Sequence, residues 1–231
     1  MISVLKGIRE FLFPKICACC SDPLAEGELS LCEFCKSGRF EPADSRLEMA
    51  TDEILPGYVA FRMACWQLDP GGTLQDLIYR LKYGHLYDLG IDLGGELGKI
   101  IYRKATTCGY TGRFEPVLVP VPLHRSRQRE RGYNQAAAIC EGMKRITGWN
   151  ILDEPLVRRT CRTRTQTGLT AEERIKNMSG AFCTGGIEFL PYELPVIVDD
   201  VFTTGATVRE LSLVLRQAGA QTVGIATLTE V

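Results

Sequence analysis

Two spacings of apolar residues alternate along this chain. Leu74, Leu77, Ile78 and Leu81 recur at helical intervals from about Thr73, leaving Arg80 and Lys82 on other sides, where Lys82 reads first as a solvated surface lysine, with a place at a helix end beside a polyphosphate pocket as the alternative. A second helical pattern covers residues 88–104, and the Gly94-Gly95 pair weakens its continuity. Tyr58 to Leu68 is strand-like and ends in the turn residues Asp69-Pro70-Gly71-Gly72. Short apolar runs near 117–121, 156–159, 195–199 and 223–228 read as further strands, with helices between most of them, including Val208 to Ala218. Strands alternating with helices predict an α/β fold built on a central parallel sheet.

The ends of the pattern divide the chain. Ile2, Leu5, Ile8 and Leu12 stand at helical spacing and predict a docking helix, since Lys6, Arg9 and Glu10 interrupt the run and no small-residue cleavage site follows. No stretch is apolar enough to span a bilayer, so a cytoplasmic chain without stable membrane insertion is expected. Residues 36–57 are polar, contain Pro42 and Pro56, and read as a surface linker. The expected division is 1–56 (N-terminal helix, cysteine knuckle and linker) and 57–231 (the α/β domain).

Composition adds two facts. The 231 residues carry a net charge of −1, yet residues 124–176 hold twelve Lys/Arg against six Asp/Glu, a basic belt suited to an anionic ligand. Five of the ten cysteines fall within residues 17–35. Cys17 with Cys20 and Cys32 with Cys35 form two CxxC knuckles, a spacing that suits tetrahedral Zn2+ in a closed, structural site. Cys19 is a possible substitute ligand, and a redox pair or unrelated free thiols are the alternatives.

The most informative run is Val196-Ile197-Val198-Asp199-Asp200-Val201-Phe202-Thr203-Thr204-Gly205-Ala206-Thr207. It joins a buried strand to two carboxylates and a hydroxyl-rich turn at a helix start. Ligands of open α/β sheets bind at the carboxyl ends of strands, and a helix N-terminus there offers N–H groups to an anion. Thr203, Thr204 and Thr207 add hydroxyl donors, and Gly205 lets the backbone approach a phosphate closely. Adjacent carboxylates repel phosphate, so Asp199 and Asp200 must serve a ribose diol or a Mg2+ shared with it.

This run resembles the phosphoribosyl pyrophosphate (PRPP) motif of type I phosphoribosyltransferases. The resemblance implies that Asp199 and Asp200 hold the ribose 2′ and 3′ hydroxyls, and that Thr203, Thr204, Gly205, Ala206 and Thr207 bind the 5′-phosphate. A second phosphate-facing segment starts at Pro120-Val121-Pro122-Leu123-His124, where prolines stiffen the turn and could support a cis peptide, and continues through Arg125, Arg127, Arg129 and Arg131 into Gly132-Tyr133-Asn134-Gln135. A turning loop is expected to scatter the four arginines. The pyrophosphate loop of those enzymes occupies this place, which puts Val121, Pro122 and Arg131 at the pyrophosphate.

The wider pattern resembles the ComF family, associated with competence and DNA utilisation, over nearly the whole chain. Its carriers are the four-cysteine knuckle, Leu81-Lys82-Tyr83, Pro120 to His124, Arg131 to Gln135, Thr165 to Thr170, Glu173 to Asn177, Gly180-Ala181-Phe182 and the Asp-Asp motif. The family fold has its flexible catalytic loop where Arg158, Arg159, Arg162 and Arg164 precede a Thr-Gln-Thr-Gly turn. Thr170-Ala171-Glu172-Glu173 is a capping-box pattern, predicting a short helix that presents Arg174 and Asn177, and Arg174 joins the two aspartates as an expected catalytic residue.

The expected activity is Mg2+-assisted transfer of a 5-phosphoribosyl group with release of pyrophosphate, catalysed by orientation and electrostatics without a protein nucleophile. His85 and His124 offer no convincing base. The acceptor has no readable code, and no base-recognising hood is expected after the strand near 223–228. The alternative is a non-enzymatic protein that handles single-stranded DNA with DNA-uptake partners. Tyr79, Tyr83 and Tyr133 read as packing residues and add little to that alternative.

Overall fold

The computed structural model describes residues 14–43, 55–107, 109, 112–153, 156–160 and 180–231. The Val196-Ile197-Val198 run lies at the middle of the sheet because both of its faces are covered. It belongs to strand β6 (Glu193–Phe202), in which every residue from Leu194 to Val198 is buried. On one edge β6 pairs in parallel with β2 (Glu115–Pro120), and on the other with β7 (Val223–Glu230). Strand β1 (Val59–Gln67) lies outside β7 and the two-residue β3 (Asn150–Ile151) outside β2, giving the parallel order β1-β7-β6-β2-β3.

The period-two pleat divides the core into two layers. Val196, Val198, Leu118, Ala226 and Leu228 point to one face, where they meet α2 (Thr73–Tyr83), α3 (Tyr87–Thr107) and α5 (Gln135–Thr147). Ile197, Val119 and Ile225 point to the other, against Leu211 and Leu215 of α6 (Ala206–Gln217). The pleat therefore sends Asp200 toward the α2/α3 face and Asp199 toward the α6 face.

The expected break at Gly94-Gly95 does not occur. Helix α3 runs unbroken for 21 residues, and its glycines serve contact with α5 instead. A Cβ on Gly94 would fall 2.1 Å from the Ile139 carbonyl oxygen, and one on Gly142 would fall 2.1 Å from that of Ile91. Only backbone without side chain lets the two helices approach this closely.

Three other expectations change. Val157 to Arg159, expected in the main sheet, form β4 (Val157–Arg159), which pairs antiparallel with β5 (Phe182–Thr184) in a separate ribbon against the α6 face. The arginine segment is not a turning loop but helix α4 (Arg125–Arg131), capped by the His124 ring, which accepts from the Ser126 N–H, and ended by left-handed Gly132. Arg, Gln and Glu favour helix once those stops are in place. The prolines before it hold trans peptides, since no cis bond occurs among the described residues.

The segment read as the start of a linker is tied to the sheet. Ala43 donates to the Cys65 carbonyl, Gln67 donates to that of Glu41, and Phe40 meets Trp66 edge-on at 5.4 Å. This pairing covers the outer edge of β1. Residues 1–13, 44–54 and 161–179 lie outside the described residues, and with them the docking helix, the capping-box helix and Arg162, Arg164, Arg174 and Asn177.

Candidate functional site

The connections set the crevice. The chain leaves β2 through α4 and α5 toward β3, whereas it leaves adjacent β6 through α6 toward β7, on the opposite side. Neighbouring strands whose crossovers depart in opposite directions open a crevice at their carboxyl ends. The segments that follow them, 121–135 and 203–207, are the two that the sequence marked. Asn134 fixes the first: it caps α5 by accepting from the Ala136 N–H at 3.0 Å and donates to the Val121 carbonyl at 3.2 Å.

The second segment is a cradle. Gly205 is left-handed at φ 70°, and a Cβ there would sit 3.0 Å from the Phe202 ring, so both conformation and space require glycine. Gly205, the N-cap of α6, has no side chain to cap the first turn, so that the helix start presents backbone N–H groups at the strand end. Thr204 Oγ1 is buried and has no hydrogen-bond partner among the described residues. Oriented N–H groups, a buried hydroxyl and an obligatory glycine fit a phosphate.

β6 outruns β2 by four residues, since Pro120 pairs with Val198, so both aspartates stand past the end of β2. Asp200 is 5% exposed. Its Oδ1 lies 3.2 Å from the Lys82 ammonium, its backbone N–H donates to Asp199, and its buried Oδ2 has no partner among the described residues. Leaving a buried carboxylate oxygen without a donor is costly, and a diol or hydrated cation would satisfy it. Lys82 is thus not the solvated lysine expected from sequence. Helical periodicity shows which side it occupies, not that α2 stands over β6.

Asp199 keeps partial exposure, yet its carboxyl is pushed up to about 7, first by burial and then by the Asp200 charge, against the Asp200 N–H, Lys82 and Arg159. An unfolded aspartate titrates near 3.9, so between about pH 4 and 7 the folded chain holds a proton that the unfolded chain releases, and stability falls as pH rises through that window. Asp199→Asn should therefore raise the melting temperature of the ligand-free protein at pH 8 by roughly 3–6 °C, for about 1–2 kcal/mol after allowing for solvent screening, and by much less at pH 5. Thermal scans at both pH values check this, and an equal gain at the two would contradict it.

Arg159 faces Asp199 from the ribbon, and burial first, then Arg127, hold its guanidinium below the ordinary range against the pull of Asp199. It lines a cleft of about 590 Å³ with His124, Arg125, Gln128, Asn134 and Arg158. Pro122 lines the same cleft, and Val121 is buried beneath it. Arg131 is 7% exposed, donates to Gln135 Oε1 at 2.7 Å and lies over the Tyr83 ring. Tyr79 and Tyr83, read as packing residues, are exposed and lie against each other at 4.9 Å, whereas Tyr133 is half-buried and donates to the Leu81 carbonyl.

Cys17, Cys20, Cys32 and Cys35 converge as their spacing predicts, with all four Sγ atoms within 4.8 Å of one another and Cys20 and Cys32 at 3.7 Å. Tetrahedral zinc with Zn–S bonds of about 2.3 Å separates its sulfurs by about 3.8 Å, so the quartet is compatible with a structural zinc. Burial raises the Cys17 thiol, but the N–H groups of Cys20, Cys32 and Cys19 outweigh it and bring the group down to about 7, favouring the thiolate that a metal binds. Cys19 stands outside the quartet with a raised thiol, chiefly through burial.

Fold and site together define an α/β protein with a parallel sheet, a strand-end glycine turn beside paired aspartates, and an N-terminal four-cysteine centre. No protein-family profile matches the chain. Among characterised proteins, it is 32% identical over 231 residues to the DNA utilization protein YhgH of Escherichia coli (strain K12), covering 92% of this chain and 95% of that one. It is 40% identical over 160 residues to Competence protein F of Haemophilus influenzae, covering 66% of each chain. A match to Competence protein ComFC of Streptococcus pneumoniae is 30% identical over 106 residues, 46% of this chain and 44% of that one. The chain belongs to the ComF family. Among the described residues no helix is long and apolar enough to cross a membrane.

Proposed function

We propose that this chain serves the uptake or use of DNA, as its relatives are named for, and that its working site is the crevice between β2 and β6, which holds a 5-phosphorylated ribose. The observation that carries the ligand is the pair of buried atoms without partners among the described residues, Asp200 Oδ2 and Thr204 Oγ1, at the end of one strand. One suits the ribose diol and the other its phosphate. PRPP with Mg2+ is the ligand that the sequence motif implies. Asp199 and Asp200 would hold the diol and the cation, Thr203 to Thr207 the 5′-phosphate, and Arg125, Arg158 and Arg159 face the cleft where a pyrophosphate would lie. A bound Mg2+ supplies charge neutralisation between diphosphate and diol. Zn2+ in the cysteine quartet is structural, because four thiolates leave no open position.

Two modes of action follow. Direct handling of single-stranded DNA is favoured by the names of the relatives and by the guanidinium-lined cleft. Phosphoribosyl transfer with loss of pyrophosphate is favoured by the cradle and the aspartate pair, with Arg174 in the catalytic loop and an acceptor from outside the crevice. Titration of the protein into labelled single-stranded oligonucleotides separates them. Direct handling predicts binding that weakens steeply with salt and, on replacing Arg125, Arg127 and Arg129 by Gln, loses about two units of salt slope at most. Binding indifferent to salt and to those changes would leave transfer as the working mode.

A further inference from the structure

Successive residues of an α-helix point about 100° apart, so three in a row can reach three different neighbours. The last turn of α2 does so. Arg80 Nη1 donates to the Ala18 carbonyl at 2.5 Å, inside the first cysteine knuckle. The Leu81 carbonyl accepts from the Tyr133 hydroxyl, on the segment joining α4 to α5. Lys82 reaches Asp200 at 3.2 Å. Cysteine unit, arginine-helix segment and aspartate pair therefore meet on three consecutive residues.

The knuckle is fastened firmly enough to act as an anchor. Ala18 donates to the Ser30 carbonyl at 2.8 Å, and Asp92 of α3 accepts from the N–H groups of Ser30 and Leu31 at 2.7 and 2.8 Å. Cys17, Leu31 and Cys35 are buried in the same core cluster as Leu77 and Leu81. The Cys17 Sγ that would bind the metal also accepts from the N–H groups of Cys19 and Cys32, the neighbours of Ala18 and Leu31. Metal ligation thus fixes the loop whose Ala18 carbonyl holds Arg80. Beyond Lys82 only Tyr83 remains, with the Arg131 guanidinium over its ring, before Gly84 ends the helix and His85 turns left-handed at φ 53°.

We infer that the four-cysteine unit is a positioning device for the crevice: through Arg80 it sets the end of α2, and so places Lys82 against Asp200. This deepens the ligand reading given above, since Lys82 neutralises one of the two carboxylates that the diol and cation approach. Arg80 is a positioning residue, and it touches no ligand. The metal-loaded unit and a well-formed aspartate pair are coupled states, so each must favour the other.

The test compares zinc-loaded wild type with Arg80→Met, which keeps most of the stem and removes the donor, and with Arg80→Lys, which restores one. Lys82 acylation by a succinimidyl ester is followed by mass spectrometry, with Lys144, exposed on α5, as an internal reference outside the chain of contacts. Arg80→Met should label Lys82 about fivefold faster at unchanged zinc content, Arg80→Lys should recover protection, and chelation should raise the wild-type rate while adding little to Arg80→Met. Wild-type labelling in zinc-loaded Arg80→Met would overturn the inference. Calorimetry with Mg2+ and PRPP separates the two readings: a fivefold to tenfold weaker Kd in Arg80→Met supports both, wild-type affinity in that variant sinks the coupling alone, and no binding by wild type sinks the ligand reading while the labelling still decides the coupling.

Discussion

Chelating the zinc should lower the melting temperature by about 10 °C and abolish the cooperative signal of Trp66, because the metal-bound unit shares the main core. Cys17, Leu31 and Cys35 are buried with Leu77, Leu81 and Met63, so releasing the unit exposes apolar surface on α2 and β1 as well as its own. Burial, with the neighbouring cysteines, raises the Cys35 thiol, so that without metal it protonates and no longer pairs with a cation. Structural zinc contributes about 10 kcal/mol or more to isolated fingers. Here the contacts of Asp92 and of residues 41–43 add holds that an isolated finger lacks, so a smaller effect is expected. Near-ultraviolet dichroism and tryptophan fluorescence during thermal scans report this, because Trp66 meets Phe40 at the junction while Trp149 lies toward the other edge of the sheet. Retention of the melting temperature after complete removal of the metal would show that the quartet does not hold the fold.

The second large effect concerns the aspartates. Asp199→Asn with Asp200→Asn preserves shape while removing both charges, and should weaken binding of PRPP with Mg2+ at least about a hundredfold, or roughly 3 kcal/mol. A carboxylate accepts from both diol hydroxyls and ligates the cation, whereas an amide offers one acceptor oxygen and no charge. The Lys82 ammonium then faces a neutral group and turns to solvent. Stability should move the other way at pH 8, since two buried like charges are relieved. A variant that melts higher and binds less assigns the loss to the site rather than to unfolding. Equal weakening of binding and of the fold would make the aspartates structural.

The sequence made the sheet centre and the cysteine centre legible because each is written locally. A run buried on both faces announces a central strand, and the Asp-Asp and Thr-Thr-Gly residues follow it directly. Paired CxxC knuckles need only their own spacing to converge. What escaped was set by contacts between distant segments. Val157-Arg158-Arg159 has strand chemistry, but with one buried residue it belongs to a ribbon, while the true outer strand at Asn150–Ile151 is too short to leave a pattern. The Gly94-Gly95 pair looked like a helix weakener, although Gly94 with Gly142 forms the surface by which α3 and α5 touch. Prolines ahead of the arginines suggested a loop, but they precede a capped helix. Lys82 stood within a family motif and Arg80 only on a polar side of α2, and neither signal told their roles, because only the assembled fold shows the cysteine unit on one side and Asp200 on the other.

The claim on which the rest depends is that the crevice between β2 and β6 takes a phosphorylated ribose. Isothermal titration of PRPP with Mg2+ into the zinc-loaded protein tests it most directly. The account predicts one site per chain, with affinity lost when Mg2+ is omitted and lost again in the double asparagine variant. A folded, zinc-loaded protein that releases no heat and shows no protection of Lys82 with PRPP would contradict it.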